Sequence, residues 1–285
     1  MTYIVHGATG AQGAPLFKRL LQSGKQAIAA VRHTDKLSGM PTIQIDNASV
    51  DSLVAAYRGA EGVFIHLPLA AEAERVSYAR NIVKAIELAK PKRVVISTSG
   101  AIIDEPDSPL QALNDSAIAI LIDGVQKTGV STAVLAPRLY LENLLLPMVF
   151  GPAQSDGTLR YPIRADFPVS WSSHLDVAEV AERLFNEPGI TGVVGVGQLP
   201  GMLGADLAQG MAKYLGRHVT FESLQPQDFG TLIEPLFGPA ANAVVGLYQA
   251  LWQVSSNTIS ATTSAQQLLN MTPRNVEKWL ADTLK

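Results

Sequence analysis

The sequence predicts an α/β protein: a doubly wound parallel sheet followed by a smaller C-terminal α+β substrate or lid region. Three observations carry this. An apolar run, Ile4-Val5-His6, is closed by glycines at 7, 10 and 13 and followed at once by the apolar segment Ala14–Leu21. Five or six apolar runs of strand length then alternate with helical segments as far as Ala136. Such alternation calls for parallel strands joined by crossover helices. Beyond Phe150 the alternation weakens, which gives expected units of 1–150 and 151–285, partly interleaved.

The elements follow in order. Leu16, Phe17, Leu20 and Leu21 form an apolar stripe at helical spacing, and Ser23-Gly24 ends that helix. Ala27–Val31 is the second strand and Thr42–Ile45 the third. Ser49 is placed to cap a helix over Val50–Arg58. Val63–Leu67 reads as the fourth strand, with His66 as a packed strand residue. The segment Glu72–Lys90 keeps Val76, Ala79, Ile82, Val83, Ile86 and Ala89 on one helical face. Arg93–Ile96 and Thr132–Ala136 are the fifth and sixth strands. Gly151–Phe167, rich in Gly, Pro and polar residues, reads as loop. Asp176 reads as the cap of a helix over Val177–Phe185. Val193–Val196 and Val219–Glu222 are strands, and Asp206–Leu215 is a helix stopped by Gly216.

Composition narrows the function. Charged residues make up 16% of the chain, against about 25% in an average domain. That favours much buried surface: a sheet covered on both faces, an apolar pocket or a subunit face. The net charge of -3 and the lack of a basic block argue against nucleic-acid binding. With no Cys there is no disulfide, thiolate nucleophile or Cys-ligated zinc, and the five His show no ligand spacing, so no metal is expected. The lack of Cys and of a leader ahead of the first strand fits a cytoplasmic location.

One segment stands apart: the 39 residues from Pro235 to Pro273 carry no charge. Phe237, Ala241, Val244, Val245, Tyr248, Leu251 and Trp252 lie on one helical stripe, interrupted by Asn242, Gln249 and Gln253. A membrane span needs about 20 mainly apolar residues, and the amides break that requirement. A lid over an apolar pocket, a homodimer face and plain core packing remain open.

In an open parallel sheet, ligands bind beyond the carboxyl ends of the strands. That rule selects Gly7–Gly13, Arg32, Leu67-Pro68, Thr98-Ser99 and Pro137–Asn143. In the first of these, Gly7 would permit the turn, Gly10 would let backbone approach a pyrophosphate, and Gly13 would let helix pack on strand. The pyrophosphate would sit on the helix N-terminus. At the end of the second strand, where an acid would serve the ribose of NAD, the chain has Arg32, with Lys36 four residues on. Two cations there suit a 2′-phosphate, so NADP(H) is favoured over NAD(H).

These segments resemble the NmrA-like branch of the atypical short-chain dehydrogenases. The resemblance rests on G-A-T-G-A-Q-G (7–13), V-R-H-T-D-K (31–36), D-N-A-S-V-D-S-L (46–53), R-V-V-I-S-T-S (93–99), L-A-P-R-L-Y-L-E-N (135–143), H-L-D-V-A-E-V-A (174–181) and P-R-N-V-E-K-W-L (273–280). It implies a Rossmann domain with the substrate cleft against a smaller domain. It implies NADP(H) on Gly7, Thr9, Gly10, Ala11, Gln12, Gly13 and Arg32, with contacts from Asp46, Leu67, Pro68, Ser97 and Thr98. Ser99 occupies the place of the family's catalytic Ser, and Tyr140 lies on the same edge as a candidate proton donor.

One departure bears on the chemistry. Short-chain dehydrogenases place a Tyr four residues before a Lys, which lowers the Tyr pKa for proton transfer. None of the seven Tyr here has a Lys four residues on, and the helix aligned with the dyad reads Ser116-Ala117-Ile118-Ala119-Ile120-Leu121-Ile122. The expectation is therefore a reductase that hands a hydride to a conjugated, quinone-like or aromatic small molecule, whose product needs little acid catalysis. The alternatives are a non-catalytic NADP(H)-sensing regulator and an enzyme of aromatic natural-product synthesis.

Overall fold

The structure, a computed structural model, describes residues 1–37 and 39–284. The first half alternates strand and helix: β1 (Thr2–His6), α1 (Gly13–Gln22), β2 (Gln26–Val31), β3 (Thr42–Gln44), α2 (Val50–Tyr57), β4 (Gly62–Ile65), α3 (Glu72–Ala89), β5 (Arg93–Ser97), α4 (Ala117–Lys127) and β6 (Ser131–Pro137). There follow α5 (Pro147–Ser155), β7 (Thr158–Tyr161), α6 (His174–Asn186), β8 (Gly192–Val196), α7 (Gly204–Leu215) and β9 (Thr220–Ser223). The chain closes with α8 (Pro226–Phe237), α9 (Ala241–Leu251), α10 (Ala265–Leu269) and α11 (Val276–Thr283).

Seven strands form one parallel sheet in the order β3-β2-β1-β4-β5-β6-β8. The order reverses between β1 and β4, and such a switch point opens a crevice at the carboxyl ends of the two strands. Both faces are covered, which explains the near-continuous apolar strands. One face packs Leu16, Phe17 and Leu20 of α1 with Val177, Val180 and Leu184 of α6. The other packs Leu53 of α2, Ile82 and Ile86 of α3, and Ile118 and Leu121 of α4. A third core, built from α5, β7, α7, α8, α9 and α11, sits beside the sheet around Tyr161, Trp171, Phe229 and Trp279. The sheet layer takes α6 and β8 from beyond residue 150.

Several boundaries differ from the sequence reading. Residues 151–167 are not all loop: they hold the second half of α5 and β7, which pairs in parallel with β9. Pro147 opens α5 at its first position, where proline has no hydrogen bond to lose. Gly151 and Pro152, which suggested loop, are tolerated inside a helix held by buried Val149 and Ala153. β4 stops at Ile65, so His66 and Leu67 lie past the strand, on the ligand edge. The cap of α6 is Ser173, whose Oγ accepts from Asp176 N at 3.0 Å; Asp176 belongs to the first turn. The stripe from Phe237 to Trp252 is not one helix. It breaks at Gly238, whose φ of 53° ends α8. Core packing accounts for Ala241, Tyr248 and Leu251, which are buried in the third core. Among the described residues no helix is long and apolar enough to cross a membrane.

Candidate active site and nucleotide crevice

The glycine segment is built from backbone contacts. Gly7 turns the chain at a φ of 60°, and a Cβ there would lie 2.2 Å from His66 Nε2. A Cβ on Gly13 would lie 2.3 Å from Gly7 O and 2.5 Å from His6 O, so α1 starts in direct contact with the end of β1. Gly10 is exposed and has only Gly7 O nearby, at 3.3 Å, which leaves its outer side open to a ligand. The first turn of α1 has neither an acidic residue nor a side-chain cap. Within that turn Ala14 N already donates to Gly10 O at 3.0 Å and Pro15 has no N–H, so an anion there would take the N–H groups of residues 11–13, beside exposed Thr9.

The crevice at the switch point holds a cavity of about 170 Å³ lined by Gly7, Thr9, Gly10, Arg32, Asn47, His66 and Pro68, among others. Arg32 is exposed at its mouth, and its guanidinium makes no ion pair among the described residues. Asp46 does not line it: its carboxylate turns back to accept from Ala48 N at 2.8 Å. The next residue does, and Asn47 Oδ1 is buried there without a partner. His66 is also buried on the lining, and burial pulls that imidazole's pKa down against hydrogen bonds to the backbone of Leu67 and His6. Leu67 is buried behind Pro68. The side chain of Lys36 lies outside the described residues. A larger cavity, about 590 Å³, opens between Arg80, Val83, Asp123 and Gly124 of α3 and α4, away from the strand ends.

A second cluster forms at the ends of β5 and β6. Ser97 Oγ donates to Gln12 Oε1 at 2.7 Å, and Gln12 Nε2 donates to Ser99 Oγ at 2.9 Å. Gln12 thus spends its side chain on β5, not on the outer face of the glycine segment. Ser99 is exposed and holds a left-handed φ of 56°, an uncommon conformation for a residue with a Cβ. Thr98 Oγ1 and the Tyr140 hydroxyl are buried without partners. Ser97 lies close to Tyr140, but its hydroxyl goes to Gln12, and burial raises the Tyr140 pKa. The Tyr140 ring packs on His174 with centroids 4.5 Å apart. Burial lowers the His174 pKa to about 4, so this imidazole is neutral at pH 7. Glu142 accepts from His174 N at 2.9 Å and from Trp279 Nε1 at 3.1 Å.

The structure therefore gathers the predicted residues into two neighbouring groups linked by Gln12, with Asp46 facing away. It adds Asn47, His66 and His174. His66 immediately follows β4, a signal the sequence holds but which a fourth strand drawn through Leu67 concealed, and Asn47 lies three residues past the end of β3. α4, in the place of the dyad helix, buries Ala117, Ile118, Leu121 and Ile122 against the sheet and offers the site no titratable group from that face. Asp176 is buried beneath α6 and paired with Arg274, whose N–H groups reach both of its oxygens.

The sequence profile of the NmrA-like family matches residues 1–280. The chain belongs to the NmrA-like family. Its fold is also that of solved structures at low identity. Triphenylmethane reductase from Citrobacter sp. matches at 18% identity and a TM-score of 0.81, covering 100% of both chains. An NADPH-dependent quinone oxidoreductase from Escherichia coli matches at 20% identity and a TM-score of 0.75, again over 100% of both. A nucleoside-diphosphate-sugar epimerase from Staphylococcus aureus matches at 16% and 0.79, over 98% and 99%. At these identities the likeness establishes the fold of this NmrA-like chain, and the epimerase among the matches underlines that fold does not choose chemistry.

Proposed function

We propose that this NmrA-like protein is an NADPH-dependent reductase that passes a hydride to a conjugated, quinone-like or aromatic small molecule without a Tyr-x-x-x-Lys dyad. The observation that carries the reading is Arg32: an exposed guanidinium with no ion pair among the described residues, at the mouth of a crevice floored by glycine backbone. The crevice fits the nucleotide. Gly10 leaves room for a pyrophosphate beside the N–H groups of residues 11–13, and Asn47 Oδ1 on the lining is buried without a partner among the described residues. When bound, NADPH would supply the hydride. Two of the solved structures with this fold, the dye reductase and the quinone oxidoreductase, carry names that support that use of it.

The chain's own residues supply orientation. Ser99 and Tyr140 are the candidate catalytic groups, one presenting an exposed hydroxyl and the other a protonated phenol at neutral pH. Hydride addition gives a quinone a product stabilised by delocalisation and neutralises the charge of an extended aromatic cation, so positioning carries much of the catalysis. The apolar α4 favours a second reading, a nucleotide-sensing regulator without turnover. One experiment separates them: titrate NADPH and NADH, then follow absorbance at 340 nm with quinones and cationic dyes. Tight NADPH binding with turnover supports the enzyme. Tight binding with every acceptor inert supports the sensor.

A further inference from the structure

Gln12 stands at the start of α1, yet its side chain does not cap the helix. It is buried and reaches across to the end of β5. There the direction of the hydrogen bonds matters. Ser97 Oγ already accepts from Ser99 N at 3.2 Å, and its own O–H goes to Gln12 Oε1. The Gln12 amide therefore turns its NH2 to Ser99 Oγ, which accepts at 2.9 Å. A hydroxyl has one hydrogen. With Gln12 feeding its oxygen, the Ser99 O–H is left to point away, from an exposed residue on the ligand edge. The Tyr140 hydroxyl lies beside Ser97 on the same edge.

Resting on the reductase reading, we infer that Gln12 is a positioning residue that fixes the Ser99 hydroxyl as an outward donor. The chain thereby selects acceptors whose reducible end carries a lone-pair oxygen, as quinones do, over triarylmethane cations, whose reducible carbon carries none. Reduction of a quinone to its hydroquinone adds one hydride, with two electrons, and one proton. The hydride comes from the reduced nicotinamide and the proton from water. The oxygen that becomes negative is the one that would take the Ser99 hydrogen bond. Because Gln12 belongs to the glycine segment, the same residue ties the nucleotide side of the site to the acceptor side.

The test compares 1,4-naphthoquinone with crystal violet in the wild type, Ser99→Gly and Gln12→Glu. Ser99→Gly removes the hydroxyl at a left-handed backbone position that glycine adopts readily, so the fold is retained. Its quinone-to-dye ratio of kcat/KM falls about tenfold or more, the size of a lost hydrogen bond to developing charge. Gln12→Glu places an acceptor-only carboxylate between two hydroxyls and turns the Ser99 hydrogen inward, with the same fall at neutral pH. Protonating that carboxyl restores a donor, so the ratio of variant to wild type recovers as the pH is lowered. The neighbouring titratable groups (His66, Tyr140 and His174) are common to both proteins and cancel in that comparison. Binding of the two probes to NADP⁺-loaded protein, followed calorimetrically, repeats the discrimination without turnover. Equal losses for both probes in Ser99→Gly, or wild-type discrimination in Gln12→Glu, overturn the inference. A wild type that oxidises NADPH with neither probe overturns the reductase reading instead, and the binding comparison still judges Gln12.

Discussion

His6 closes β1 on the floor of the nucleotide crevice, and its titration can be isolated. The ring is buried, lies within 2.8 Å of the Tyr57 hydroxyl, and has its pKa lowered from 6.5 to about 3, chiefly by burial and then by His66. A group whose folded pKa is depressed binds more protons when unfolded. Its contribution is complete above the unfolded pKa and is lost as pH falls through the window from 6.5 to about 3. At pH 4.5, two units below the unfolded value, the loss is about 3 kcal/mol, from roughly 1.4 kcal/mol per unit. His6→Gln removes the proton site and keeps a polar side chain. Its packing cost is the same at every pH, so the variant-minus-wild-type stability should move by about 3 kcal/mol in the variant's favour between pH 7 and pH 4.5. The comparison also removes the buried carboxyls Asp176 and Glu142, whose pKa values burial raises and whose stability contributions run the other way. Urea titrations at several pH values measure the difference. Parallel stability curves for the two proteins would refute the argument.

Three further perturbations test separate parts of the molecule. Arg32→Ala removes the free guanidinium, and NADPH binding should weaken by about 1.5–3 kcal/mol while NADH binding barely changes. Calorimetry with both cofactors checks this, and equal losses would remove the 2′-phosphate assignment. Gly13→Ala drives a Cβ to 2.3 Å from Gly7 O, which is backbone and cannot rotate away. Stability should fall by about 1–3 kcal/mol or more in a thermal or urea melt, with nucleotide binding lost alongside. Asp176→Ala strands Arg274, which keeps only Glu179 and Asp282, and should cost about 3 kcal/mol. Adding Arg274→Met should recover part of that loss, as a double-mutant cycle would record.

How much was legible depends on whether the signal was local. The glycines at 7, 10 and 13 and the Ser49 cap act through their own neighbours, and both stand where the pattern put them: Ser49 Oγ accepts from Ser52 N at 3.2 Å. Burial on both faces made the sheet strands readable as apolar runs. The C-terminal layer was harder, because its order comes from distant partners. β7 exists through its pairing with β9, some 60 residues on, and nothing in Thr158–Tyr161 alone announces it. Gly151 and Pro152 suppressed a helix that packing restores. In the site, strand-end logic found Arg32, Ser99 and Tyr140. It did not reveal that Gln12 turns its side chain to β5, since that follows from where β5 lies relative to α1. Asp176 looked like a cap because Asp commonly is one. Its real partner, Arg274, is 98 residues away.

The segment after β6 gives the relation between motif and chemistry its sharpest form. Tyr140-Leu141-Glu142-Asn143 is one of the segments that carry the family resemblance, and such a motif invites a catalytic reading. Most of it is structural here. Glu142 joins the start of α6 to Trp279 of α11. Asn143 lies beside the hydroxyls of Tyr161 and Tyr248, which hydrogen-bond each other in the third core. Just before it, Arg138 is fully buried and grips Asp104 and Glu105 of the loop between β5 and α4. These contacts fasten the ligand edge of the sheet to the C-terminal layer. Tyr140 lies beside Ser97 and packs on His174, whose ring also stands 3.7 Å from Glu142 Oε2. The motif therefore makes a joint, and its one candidate catalytic residue is held in position by that joint. A substitution at Glu142 or Asn143 would disturb Tyr140 through packing, so loss of activity there would say nothing about a chemical role. Only Tyr140→Phe, which keeps the ring on His174 and deletes the hydroxyl, separates the two.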